Sequence, residues 1–547
     1  AGLYINDSAP RIVGCLFTGN RSTSAIGSYG GGVSCYDFSE PLILNCSFFG
    51  NRAYYGGGIY FGMGCDATIT NVVMWGDTAN NGDEIKCSNA YPLVSYALIE
   101  GCGGSGFGWD PDIGTDGGNN IDEDPFFVDA GSENLRLTIG SPAVNAGNNG
   151  APDLPGTDIA GNPRISLDIV DMGAFELQFY CHEGPILYVD KDATGAGDGS
   201  SWVDAFTDLQ VGLFYADCPG IEEIWVADGT YLPTGSTDRY YSFQLRDSLE
   251  IYGGFAGGEM ALDQRNPVAN PAILSGDIGT PGDSSDNSYT VVSGNGTDST
   301  AVIDGFTITE AYEASGMIVD GGSPMIRNCI FINNVSSTWA ALHITNYSSP
   351  KVIGCLFINN SCTESSSYGG GLSCYQYCYP LVLNCSFYGN MAGYGGGIYH
   401  GNNCGAEVTN VVMWGDSAKT GGDNEIRCAG SDPTVSYSLI EGCGGSGYTW
   451  DGGHGIDGGN NIDTDPLYID PVAGNIRLGI GSPALDVGFS SHPELPTTDI
   501  TGDPRIKNLI VDMGAFEGPS GTIDVTVNTD PLELEVYVDD SLYTSAG

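Results

Sequence analysis

The feature that most constrains this chain is a ladder of short repeats. Segments related to Asn-Cys-x-Phe place a cysteine slot at Cys329, Cys355 and Cys385 and continue with Val411 and Tyr437, in steps of 26, 30, 26 and 26 residues. A fixed period in this range means stacked repeats, because one repeat cannot bury its own apolar face and needs a neighbour on each side. A longer period encloses the short one. Gly14-Cys15-Leu16-Phe17 returns as Gly354-Cys355-Leu356-Phe357, and Val170-Asp171-Met172-Gly173-Ala174-Phe175-Glu176 as Val511-Asp512-Met513-Gly514-Ala515-Phe516-Glu517. Residues 1–178 thus run again as 340–519.

Two places after the slot stand Phe17, Phe48, Met74, Phe331, Phe357, Phe387, Met413 and Leu439. Alternate residues of a strand share a face, so this apolar series is expected to point inward together with the cysteines. Five places after the slot stand Asn20, Asn51, Asp77, Asn334, Asn360, Asn390 and Asp416, which predicts a stacked side-chain ladder at one turn. Tyr-Gly-Gly-Gly turns at 29–32, 55–58, 368–371 and 394–397 are followed by Val33, Ile59, Leu372 and Ile398, the start of another strand. Several short strands per turn of about 26 residues predict an all-β parallel β-helix. Helical repeats are excluded, since no window sustains apolar spacing of 3 and 4 through these glycines.

The expected organisation is two parallel β-helices in tandem. Copy 1 occupies 1–178 and begins at a point that matches position 340, so its front part is absent and the chain reads as an excerpt of a longer polypeptide. Copy 2 occupies 179–518. Its N-terminal cap, 187–230, includes a helical apolar spacing over 201–214 that suits an amphipathic helix closing the first rung. Segments with Gly-Ser-Pro-Ala at 140–143 and 481–484 are expected to close the other end. Residues 519–547 alternate like the start of a small β-sandwich, with strands at 522–527 and 534–539.

Acidic residues outnumber basic ones 68 to 17, for a net charge of −51, which makes a nucleic-acid partner a poor fit. No run approaches the roughly 20 apolar residues that span a bilayer. Seventeen cysteines point to an oxidising compartment. Five of them occupy the rung slot as small apolar residues. Disulfides are expected among the other twelve, with Cys87–Cys102 and Cys428–Cys443 as short-loop pairs, and finger-type zinc spacing is missing.

Three stretches carry a family resemblance. They are Leu187-Tyr188-Val189-Asp190 leading to Ser201-Trp202 and Ile224-Trp225-Val226-Ala227-Asp228-Gly229-Thr230-Tyr231, the rung pattern with its Phe-x-x-Asn and Gly-Gly-Gly elements, and the ending at 499–505 with 512–517. The chain resembles bacterial extracellular right-handed parallel β-helix proteins of the choice-of-anchor type, with rungs similar to polymorphic outer-membrane protein repeats. The resemblance implies a right-handed β-helix, export and display at a cell surface. It brings no catalytic motif.

The most site-like cluster is Asp110, Asp112, Asp116, Asp122 and Asp124, answered by Asp451, Asp457, Asp463 and Asp465. Asp/Asn loops of this kind supply oxygens for calcium, and they serve equally as side-chain caps of turns. Asp190, Asp192 and Asp198 form a second, weaker cluster. A polysaccharide lyase would need an Arg or Lys base beside such acids, and a glycoside hydrolase a positioned carboxylate pair. The basic residues expected on the coils, Arg11, Arg327 and Lys351, follow turns where a solvated or packed side chain is the commoner outcome. His343 and His400 align with Tyr4 and Phe61, so a site using them would exist in one copy only. Arg164 and Arg505, seven residues before Asp171 and Asp512, are expected to pair with them structurally. The expected function is a non-enzymatic extracellular fibre, rod or surface-layer component whose partners are copies of itself. The alternatives are a cell-surface adhesin that binds carbohydrate or protein, and a polysaccharide lyase or glycoside hydrolase.

Overall fold

A computed structural model describes residues 1–22, 27–166, 169–179, 181–420, 424–519, 535–538 and 541–544. The described chain is an all-β parallel solenoid whose α-helical content is one helix, Leu209–Tyr215. It divides into two units, Ala1–Cys181 and His182–Gly547.

In the larger unit the strands line up in long parallel sheets. A ten-stranded sheet runs from Ile186–Val189 to Ile456–Gly459, an eight-stranded one from Gly229–Tyr231 to Leu439–Ile440, and a seven-stranded one from Phe243–Gln244 to Ile426–Ala429. The chain passes from the first of these sheets to the second through one residue with positive φ: Asn328, Gly354, Asn384, Asn410 and Tyr437. Glycine and asparagine take that conformation at least cost, which explains why Asn or Gly precedes each cysteine slot. It also corrects the expected register at the last rung. Tyr437 is the corner residue, Ser438 fills the slot, and Ile440 rather than Leu439 stands beside Met413.

The interior is a column of like on like. Phe331, Phe357 and Phe387 are fully buried and stack with centroids 4.8 and 4.5 Å apart. Each such ring contributes about 1.5–3 kcal/mol by leaving water. Beside them Cys329, Cys355 and Cys385 are buried as small apolar residues. The polar ladder forms at the turn beyond: Asn334, Asn360 and Asn390 each pass their Nδ2 to the next rung at 3.0, 2.9 and 2.9 Å, ending on Asp416 Oδ1.

The smaller unit repeats this plan. Leu3–Asn6, Val33–Tyr36, Ile59–Phe61 and Ile85–Cys87 form a four-stranded parallel sheet, and Phe17 stacks on Phe48 at 4.7 Å. Its ladder runs from Asn20 to Asn51 at 2.8 Å and on to Asp77 at 2.9 Å.

Three expectations change. The helix covers only Leu209–Tyr215, N-capped by Asp208, because Phe206 is drawn into a parallel bridge with Val189. Its buried Leu209 and Leu213 pack with Leu187, Val189 and Ile224. The Gly-Ser-Pro-Ala segments do not close an end. Ala484 is buried with Val412, Leu439 and Met513 on the outer face of the eight-stranded sheet, and the endings that follow lie on the same face or its counterpart, where Ala515 N–H donates to Ser386 Oγ at 3.0 Å and Ala174 N–H to Ser47 Oγ at 2.9 Å. Leu356 and Ile358 are buried with Ile476, Ile500 and Ala515 for this reason. Of the expected disulfides, Cys87 and Cys102 are free thiols whose Sγ atoms donate to different carbonyls, Ile113 at 3.2 Å and Ile121 at 3.4 Å. Cys443 is likewise a thiol, which removes the expected bridge to Cys428. Cys181 and Cys218 are disulfide-bonded.

Toward the C-terminus, Glu535–Val538 and Ser541–Thr544 form an antiparallel pair, while the strand expected at 522–527 lies outside the described residues. Among the described residues no helix is long and apolar enough to cross a membrane.

Candidate functional site

The outward face of the ten-stranded sheet carries a polar cleft of about 600 Å³. Strand alternation builds it. Ile224 and Val226 point into the core, so Glu223 and Trp225 point out, and the in-register neighbours of those two are Glu250 and Tyr252. The next rungs add Val302 and Asp304, then Met325 and Arg327. Ser248 and Thr300 lie at one edge of the cleft.

Glu223, Glu250 and Arg327 are each engaged with a neighbouring side chain. Glu223 Oε2 accepts from Trp225 Nε1 at 2.6 Å, and Glu250 accepts from the Tyr252 hydroxyl. Burial, then the bond to Glu250, pushes the Tyr252 phenol well above its ordinary value. Asp304 sits between two guanidinium groups, with Arg265 Nη2 at 2.7 Å and Arg327 Nε at 3.1 Å. Arg265 also donates to the carbonyls of Gly253 and Asp304 and lies over the Tyr252 ring, 5.1 Å from its centroid. The one expected basic candidate in the cleft, Arg327, is therefore held in an ion pair. The other two are also paired, Lys351 with Glu494 at 3.0 Å and Arg11 with Asp153.

The acidic loops lie elsewhere and act as turn caps. Asp116 accepts from Ser105 Oγ, Gly106 N, Gly118 N and Asn120 Nδ2 at 3.0, 2.9, 2.8 and 2.9 Å. Asp457 makes the equivalent four contacts to Ser446, Gly447, Gly459 and Asn461. The Gly106 N–H, against a small burial penalty, holds Asp116 below the usual carboxylate range. Asp122 clasps Gly101 and Gly103, and Asp463 clasps Gly442 and Gly444. Asp110, Asp124, Asp451 and Asp465 each accept an N–H two residues on. Asp112 is 3.7 Å from Lys86 Nζ. Among the described residues, no three His, Cys, Asp or Glu side chains converge as metal ligands would. Asp190 and Asp198 likewise cap Asp192 N and Ser200 N.

His343 and His400 are core residues. His343 bonds Ser373 Oγ at 2.9 Å and stacks on Trp339, and His400 is fully buried. Burial lowers both to about 4, so they are neutral near pH 7. Arg164 differs in detail from expectation. Arg164, 2% exposed, donates to the carbonyls of Ala174, Gly173 and Phe175, and its ion partner is Glu176 at 3.3 Å rather than Asp171. A buried guanidinium whose N–H groups meet carbonyls is a structural clamp. Sequence reasoning missed the cleft because its acids and aromatics come from strands 27 to 52 residues apart and share no motif; the outward positions of Glu223 and Glu250, one before each buried Ile, were the available signal.

No protein-family model matches the sequence, and no curated protein matches it. Among solved structures the chain is similar to pectate lyase Pel9A, with a TM-score of 0.36 and 15% identity, covering 62% of this chain and 97% of that one. No residue role is carried over from that protein.

Proposed function

We propose that the protein is a non-enzymatic extracellular structural element, a fibre, rod or surface-layer component. The observation that supports this reading is what the two units have in common. Ladders, capped acidic loops and enclosed arginines recur in both, and each is spent on holding backbone in place. The cleft, at 222–327, lies outside the stretch that the sequence duplicates. On this reading two right-handed β-helices follow one another along the sequence, related to choice-of-anchor proteins and polymorphic outer-membrane repeats. Leu209–Tyr215 covers the first rung of the second, and a β-sandwich-like module begins near 519. The protein stands at the cell surface and its partners are copies of itself.

Light scattering and electron microscopy of the purified chain test this. Association that grows with concentration is expected, together with no release of reducing ends or unsaturated sugars from acidic and neutral polysaccharides. Sustained product release overturns the reading. The cleft favours a second one, a carbohydrate-binding adhesin or polysaccharide-active enzyme, and glycan binding lost on Glu250→Gln would establish it.

A further inference from the structure

At the end of each ladder two acids face each other inside the protein. In the smaller unit they are Asp77 and Glu84, 2% and 3% exposed. Asp77 Oδ1 accepts from Asn51 N at 2.6 Å and Asn51 Nδ2 at 2.9 Å. The Asp77 N–H donates to Glu84 Oε1 at 2.9 Å. Two enclosed oxygens, Asp77 Oδ2 and Glu84 Oε2, are left without a donor. The larger unit repeats every part: Asn390 donates twice to Asp416 Oδ1 at 2.7 and 2.9 Å, and Asp416 N–H donates to Glu425 Oε1 at 3.1 Å. There too Asp416 Oδ2 and Glu425 Oε2 are the orphans. A glycine roofs each pair, since a Cβ on Gly58 would come within 2.5 Å of Asp77 Oδ2, and one on Gly397 within 2.6 Å of Asp416 Oδ2.

Two unsolvated carboxylates in contact cannot both stay ionised. Donor accounting says which of them holds the proton. Asp77 Oδ1 takes two N–H groups, the surroundings of a carboxylate, whereas a proton on Glu84 Oε2 would donate to Asp77 Oδ2 and satisfy both orphans at once. The geometry points to a proton lock: Glu84 and Glu425 each carry a proton in the folded protein and donate it to Asp77 and Asp416, and its loss as pH rises opens the adjoining rung. Burial pushes Asp77 and Asp416 up to about 7. Burial, then the charge of the aspartate, raises both glutamates well above their ordinary value.

The titratable groups facing the pairs are themselves acids: Glu100 at the first, and Glu441 with the Tyr468 phenol at the second. None of them relieves the repulsion. Glu84 also carries the rung above, because its carbonyl accepts from Gly58 N and Ile59 N at 3.1 and 2.8 Å. Displacing it therefore parts Ile59–Phe61 from Ile85–Cys87.

The folded acids keep a proton that an unfolded carboxyl gives up near about pH 4.3. The lock is complete below that value and is lost as pH rises through 7 and beyond. The test is thermal melting of the full chain from about pH 5 to about pH 9, comparing wild type with the double variant Glu84→Gln, Glu425→Gln. Glutamine accepts at Oε1 and donates from Nε2, so it keeps the contacts without the titration. Wild type is expected to lose on the order of 5 °C more than the variant across the range, with the two meeting at the acid end. Infrared spectra at neutral pH should show a stronger protonated-carboxyl band in wild type than in the variant, which keeps only the contribution of other buried acids such as Glu176. Parallel melting curves overturn the proposal. So do bands of equal strength in the two proteins, whether both acids are ionised or a cation has replaced the proton.

Discussion

Arg505 donates to the carbonyl of Ala515 at 2.9 Å while only 1% exposed, and thereby fixes the closing segment from inside. The same guanidinium reaches the carbonyls of Asp512 and Gly514, and Ser386 Oγ holds Ala515 from the sheet side. Arg505→Met should leave these carbonyls without their donor and remove the opposite charge near the buried Glu517, at a cost of about 3–5 kcal/mol. Arg505→Lys should recover little, because an ammonium cannot fork among several carbonyls. Limited proteolysis should then cut within 479–518 before it cuts the rungs.

Ladder members should matter more than their surface neighbours. Asn390→Ala removes two donated and two accepted bonds at a fully buried position, and a loss of about 1–3 kcal/mol in denaturant unfolding is expected. Asn390→Asp should be worse, since it sets a second acid against Asp416 and removes the donor.

In the apolar column, Phe357→Ala should cost about 3–5 kcal/mol. Tyr347→Ala, at a residue 73% exposed, should stay within about 0.5 kcal/mol. Equal effects from the two would contradict the interior assigned to the column.

His343 and His400 predict an acid limb of the opposite sign to the proton lock. Their folded value of about 4 lies below the unfolded value of about 6.5. Their contribution is therefore complete above about 6.5 and declines as pH falls toward 4, by about 1.4 kcal/mol per histidine for each pH unit. His343→Tyr with His400→Phe, the residues found at Tyr4 and Phe61, should flatten this limb in melts at a series of acid pH values.

The turn-capping acids predict stability without a cation. Asp457→Ala should lower the melting temperature by the same amount with calcium or with a chelator, because what it removes is four hydrogen bonds. A loss seen only with calcium would instead assign the loop to the metal.

What the sequence made legible was whatever repeats in a fixed register. The Phe column, the glycine turns and the Asn20–Asn51–Asp77 series follow from spacing alone, because in-register parallel strands stack equivalent residues. The one-residue slip at Tyr437 was hidden because the corner needs only a positive φ, and a tyrosine can adopt it at some strain. The cleft was illegible for a different reason. Glu223, Glu250, Asp304 and Arg327 become neighbours only through the unequal loops between rungs, and loop lengths carry no periodic signal. Glu84 and Glu425 were equally hidden, since a lone acid before a strand reads as solvated until its burial is seen.

The asparagine ladder has a grammar of insertion. Each amide hands a hydrogen to the following rung, and Asp416, which has no side-chain hydrogen to hand on when ionised, ends the sentence. A new Asn-bearing coil can be spliced in anywhere before Asp416 and will be read by both neighbours. Spliced in after it, the same coil would find no donor waiting. In both ladders, then, an added coil is matched only on the side before the closing carboxylate, Asp77 in one unit and Asp416 in the other.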